Sequence, residues 1–145
     1  MIVVDSSAVA AILFNEPGAT ELTTRLSSEA ERVLSAASYV EVGTVLAGRR
    51  KTAPEMAQED LDAFLQETKI SIATVDQDQA RLALHARIKY GRGFGAGNGL
   101  NYGDCFAYAL AKYLDAPLLY VGNDFAGTDI PPALASNPSR PLRSS

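Results

Sequence analysis

Four short strand-like runs alternate with longer segments of helical periodicity, and that alternation constrains the fold more than anything else in the chain. The runs are Ile2–Val4, Arg32–Ser35, Ile70–Val75 and Leu118–Val121. Ile2, Val3 and Val4 are continuously apolar and β-branched, as in a strand buried on both faces. Ile70 and Ile72 alternate with an exposed Ser71. Strands separated by helices need crossover connections, so the expected fold class is α/β with a central parallel sheet.

The helical segments carry their own start and stop signals. Ser6 or Ser7 is expected to cap a helix over Ala8–Phe14, which Pro17-Gly18 breaks. A second helix is expected over Ala19–Ser28. Ser38 and Glu41 match a Ser-x-x-Glu capping box ahead of a helix through Leu46 towards Arg50. Pro54 suits the first turn of a helix through Gln66, with Leu61, Phe64 and Leu65 as its apolar face. Asp76 is expected to cap Gln77–Tyr90, and Asn101 to cap Tyr102–Leu114. Gly91 to Gly99 reads as a glycine-rich loop, and the chain is irregular after Ile130. No internal repeat is evident.

A chain of 145 residues with 47% hydrophobic and 21% charged residues suits one globular domain. Cys105 is the only cysteine, which excludes an internal disulfide and a cysteine-rich zinc site and fits a reducing, cytoplasmic setting. Met1 to Val4 lacks the basic start of a signal peptide, and no apolar stretch reaches the roughly 20 residues of a membrane span. The net charge of −4 argues against broad nucleic-acid affinity, since backbone contacts need basic residues. It does not exclude a nuclease, because an acidic catalytic cluster contributes several of those negatives.

Four acids stand where a parallel sheet delivers side chains to one rim. Asp5 ends the first strand, Glu41 lies early in a helix, Asp104 opens another, and Asp124 follows the last strand. In open α/β sheets, function collects outside the carboxyl ends of the strands. Carboxylates crowded there repel one another unless a cation neutralises them. Oxygen ligands suit Mg²⁺ or Mn²⁺, and such an ion suits phosphate chemistry. Each acid also has a plain structural role open to it: a turn after a strand for Asp5, the capping box for Glu41, the positive end of a helix for Asp104 and an Asn-Asp turn for Asp124. Ser6 can bond a phosphate oxygen or simply cap its helix.

The segments Ile2–Ala8, Ser38–Val42, Gly99–Ala111 and Gly122–Ile130 together resemble a PIN domain, most closely the VapC toxin branch of type II toxin–antitoxin systems. The resemblance spans Met1 to about Leu134, giving a PIN domain over 1–134 and an irregular tail over 135–145. It implies a parallel sheet of four or five strands flanked by helices. It implies a metal-dependent endoribonuclease using Mg²⁺ or Mn²⁺ to cut tRNA or ribosomal RNA. Asp5, Glu41, Asp104 and Asp124 would be the catalytic, metal-holding acids, with Ser6 and Asn101 in support. A VapB-type antitoxin and a homodimer are the implied partners. Many PIN domains carry Thr two residues before the fourth acid; here Gly122 stands there, and Asp129 competes with Asp124 for that role.

Other residues suit blander roles as well as functional ones. His85, the lone histidine, cannot build a histidine-based zinc site. Cys105 sits on an apolar helix face and is expected to pack. Arg49, Arg50 and Lys51 read as a solvated helix end. Arg87, Lys89 and Arg92 are candidate RNA-backbone contacts. The glycine loop lacks the Gly-Lys-Ser/Thr ending of a P-loop. Leu13, Phe14, Leu22, Leu26 and Leu46 suit either the core or a partner groove. Two other functions fit the residues less well. An aspartyl-phosphate phosphatase would need Asp-x-Asp, and Ser7 occupies the second position. A catalytically silent PIN-like module, binding RNA or protein, would have no use for the acidic set.

Overall fold

A computed structural model describes residues 1–50, 53–94, 99–135 and 138–139. Among the described residues, four parallel strands form one sheet in the order β3-β2-β1-β4. They are β1 (Ile2–Val4), β2 (Arg32–Ser35), β3 (Ile70–Ala73) and β4 (Leu118–Leu119). Val4 lies level with Leu34 on one side and Leu119 on the other. A bridge from Leu118 to Pro132 extends the sheet's edge beyond β4. The helices are α1 (Ser6–Leu13), α2 (Ala19–Ser27), α3 (Ala36–Arg49), α4 (Ala57–Glu67), α5 (Gln77–Tyr90) and α6 (Tyr102–Leu114), with a 3₁₀ turn at Pro54–Met56.

β1 is covered on both faces of the sheet, which explains its continuously apolar sequence. Ile2, Val4, Leu34 and Leu119 point into one core with Leu22, Val42 and Leu61 from α2, α3 and α4. Val3, Val33 and Leu118 point into the other with Cys105, Tyr108 and Leu110 of α6. α6 carries seven buried residues, because it lies between the sheet and α5. The central strand β1 is fully buried, whereas Ile72 on the edge strand β3 is 47% exposed. The expected inward Ile72 is therefore corrected: an edge position leaves one face of the strand uncovered.

Two capping expectations are also corrected. Asp5, not Ser6 or Ser7, caps α1, because the chain turns directly from β1 into the helix. Ser35 caps α3 and Ser38 is a buried residue inside it, so Glu41 lies in mid-helix and closes no capping box. Strands β3 and β4 are shorter than the sequence runs suggest. Asn101 does cap α6, in a reciprocal box with Asp104. The centre of the glycine loop, Lys51 and most of the tail lie outside the described residues. Pro138 of the tail is described, and its carbonyl accepts the Gly122 N–H at 2.9 Å. Gly122 has φ of 89°, a left-handed turn that strains threonine. That turn accounts for the departure from the Thr of many PIN domains.

Candidate active site

The carboxyl ends of β1 and β4 open beside the first turns of α1 and α6, and a cleft of about 300 Å³ lies there. Asp5, Ser6, Ser7, Glu41, Asn101 and Asp104 line its polar end. Phe14, Pro17, Val42 and Val45 line the rest, with Arg49 and Glu16 among them.

Each acid is placed by local structure. Asp5 is 1% exposed. Its Oδ2 accepts the Ser7 N–H at 3.0 Å and the Ser7 hydroxyl. Ser7 Oγ in turn accepts the Val121 N–H at 3.0 Å, tying Asp5 to the chain leaving β4. Asp104 is 2% exposed, and its Oδ2 accepts the Asn101 N–H at 3.0 Å while Asn101 Oδ1 accepts the Asp104 N–H at 2.8 Å. Glu41 accepts a short hydrogen bond from the Ser6 hydroxyl. Because Ser38, Val42 and Leu46 are the buried stripe of α3, Glu41, Val45 and Arg49 share the neighbouring stripe that faces the cleft. A Cβ on Gly103 would overlap the Glu41 carboxylate, so the absence of a side chain there lets α3 and α6 close on the site.

Burial pushes the Asp104 carboxyl up to about 8; the negative charge of Asp5 adds to this, the Asn101 N–H opposes it, and the Asp124 carboxyl raises it further. Asp124 thus sits within reach of Asp104, and Arg92 Nη2 lies 3.3 Å from its Oδ1. Asp129 stands elsewhere. It accepts from Tyr108 at 2.7 Å and pairs with Lys112, contacts that hold its carboxyl below the usual range.

The donor set fits a hard divalent cation by its chemistry: the carboxylates of Asp5, Glu41 and Asp104 line one cleft, and those of Asp5 and Asp104 are deeply buried. Among the described residues, no three such side chains already converge closely enough to share one ion. Each is held by its own local hydrogen bond, and like charges favour that separation.

The basic residues divide. Arg92 engages Asp124, and Arg87 donates to the Arg92 carbonyl at 3.1 Å with its guanidinium over Phe94. Lys89 is exposed, with its ammonium 5.2 Å from the Tyr90 ring centre. Arg49 is exposed, as the sequence reading had it, and lies over the Phe14 ring at the edge of the cleft, whereas Arg50 pairs with Asp60 at 3.3 Å. Cys105 is buried, its thiol pushed up to about 11 by desolvation, consistent with packing. Sequence reasoning missed Ser7, Gly103 and Arg49. The Asp-x-Ser spacing at Asp5 and Ser7 is a detectable side-chain-to-backbone turn signal; the other two have no local signal.

A family model described as PIN domain matches residues 2–131. Ribonuclease VapC28 of Mycobacterium tuberculosis is 43% identical over 132 residues, covering 91% of this chain and 97% of that protein. Ribonuclease VapC of Mycolicibacterium smegmatis is 41% identical over 128 residues, covering 88% and 96%. The sarcin-ricin-loop-cleaving toxin VapC20 of M. tuberculosis superposes with a TM-score of 0.71 at 16% identity, over 95% of this chain and all of that one. VapBC2 of Rickettsia felis, solved on a promoter DNA fragment, gives 0.62 at 19% identity over 87% and 92%.

Proposed function

The chain belongs to the PIN-domain family, among the VapC ribonucleases, and from that premise we propose that it is the toxin of a VapBC pair: a divalent-metal-dependent endoribonuclease hydrolysing RNA phosphodiester bonds. One observation carries the reading. Asp5, Glu41 and Asp104, contributed by three separate elements, line a single cleft, and burial with the charge of Asp5 disfavours the ionised form of Asp104, which a bound cation would favour.

In this reading Asp5, Glu41, Asp104 and Asp124 hold the ion, Mg²⁺ or Mn²⁺ by their oxygen-only chemistry. When bound, such an ion polarises the scissile phosphodiester and acidifies water. The chain's own residues do the rest. Ser7 and Asn101 fix the two buried carboxylates, and Ser6 orients Glu41. A carboxylate of the set that is not fully engaged takes the proton of the attacking water. Arg92 offsets the charge of Asp124, and Arg87 and Lys89 offer further phosphate contacts. The substrate class is structured cellular RNA, tRNA or ribosomal RNA, and the setting the cytoplasm. Relatives of this fold solved as toxin–antitoxin assemblies, from R. felis and Klebsiella pneumoniae, support a VapB-type partner. We extend the family's homodimer to this chain.

D5N tests the reading. It should lower Mg²⁺- or Mn²⁺-dependent RNA cleavage by on the order of 100-fold or more with the circular dichroism unchanged. Full activity in purified D5N, or cleavage undiminished by a chelator, would overturn it. A silent binding module would show neither cleavage nor carboxylate-dependent Mn²⁺ affinity.

A further inference from the structure

Arg49 is the cationic side chain in the cleft lining, and the acidic chemistry does not use it. It occupies the last turn of α3, where a cation is favoured by the helix dipole. Its guanidinium carbon lies 3.9 Å from the centre of the Phe14 ring. That stacking occupies the flat face of the guanidinium and leaves its N–H edge free to donate. Among the described residues, Arg49 appears in no ion pair, although Glu16 lines the same cleft. Glu41, Val45 and Arg49 recur every four residues on one helical face, so the backbone positions of Arg49 and Glu41 lie roughly 12 Å apart along α3. The cleft therefore runs from a cation-demanding end to a cationic end, with an apolar floor between.

We propose that Arg49, seated on Phe14, is a substrate-positioning residue that grips a backbone phosphate of the RNA strand beside the scissile bond. This rests on the ribonuclease reading above. Charge decides between occupants. An RNA strand entering an acidic site needs an anchor of opposite sign within the same cleft, and a planar fork presented edge-on matches two phosphate oxygens. The contact reads no base, so it should be insensitive to sequence.

The test compares wild type with R49A, R49K and F14L. Cleavage of deproteinised bacterial total RNA gives KM and kcat; bulk tRNA titrated into fluorescently labelled protein at several salt concentrations gives affinity and its salt slope. R49A should raise KM about 10-fold with kcat within about twofold, and flatten the salt slope by about 0.7, one phosphate on a single strand. R49K should recover the slope but only part of KM, because a lysine keeps the charge without the stacked fork. F14L should raise KM while leaving the slope intact. Mn²⁺ affinity should match wild type in all three. An R49A protein with wild-type KM and salt slope overturns the proposal, even if it binds a cognate antitoxin more weakly, since Arg49 would then serve the protein partner. Wild-type protein with no RNA affinity also overturns it. If wild type binds RNA through Arg49 but does not cleave it, the ribonuclease reading fails and the grip stands.

Discussion

At the scale of single residues, the two acids near the end of the chain have opposite surroundings. Asp124 adjoins Asp104 and Arg92, whereas Asp129 is spent on Tyr108 and Lys112. D124N should therefore lower metal-dependent cleavage at least about 10-fold, while D129N should stay within about twofold of wild type. Initial rates under saturating Mn²⁺ compare them, and the reverse order would move the fourth acid to Asp129. Asp104 gives a pH signature. Its carboxyl is held at about 8 in the folded protein against an ordinary 3.8. Between those values the folded, metal-free protein keeps a proton that the unfolded chain has released, so raising pH through that window costs stability. The melting temperature of metal-free protein should fall from about pH 5 to about pH 8; Mg²⁺ should restore it at the upper end, and D104N should flatten the slope. A metal-free melting temperature that climbs over the window would contradict this account of the site.

At the scale of elements, the site depends on how closely α6 approaches α3. Replacing Gly103 with Ala adds a Cβ into the space of the Glu41 carboxylate, a side-chain end that can swing away. Alanine also suits a helix better than glycine by roughly 0.5–1 kcal/mol. G103A should thus melt no lower than wild type yet lose most of its cleavage activity, a split measurable by calorimetry and rate assay on one preparation. Elements were legible in the sequence where local pattern and tertiary demand agree. Ile2–Val4 reads as a doubly buried strand because it is one, and Asn101 with Asp104 reads as a cap because the box closes. The reading failed where two nearby residues satisfy the same rule. Ser35 and Ser38 both suit a helix start, and only the register of β2 against β1 decides that Ser35 takes the role. Asp124 and Asp129 were inseparable because the left-handed turn at Gly122 and the Lys112 partner are not local patterns. The placement of Arg49 depends on Phe14, which reaches it only through the packing of α1 on α3.

At the scale of the whole molecule, the two cores divide the labour. The core under α1, α2, α3 and α4 backs the cleft, and Leu61 lies in it, fully buried and outside the cleft lining. L61A should cost about 2–5 kcal/mol of stability by urea denaturation while leaving kcat unchanged well below the melting temperature. A kcat loss matching the stability loss would mean that the cleft and this core are not separable. The strand order has a consequence for synthesis. Of the four strands of this sheet β1 is made before the others, and one of its sides is completed only by β4, made after them. Asp5 leaves the ribosome long before Asp104 and Asp124 exist to meet it. A nascent chain, or a product cut short by a premature stop ahead of α6, therefore carries Asp5 and Glu41 without the later acids proposed to complete the cutting centre, and a translating cell meets that set only after α6 and β4 have been made.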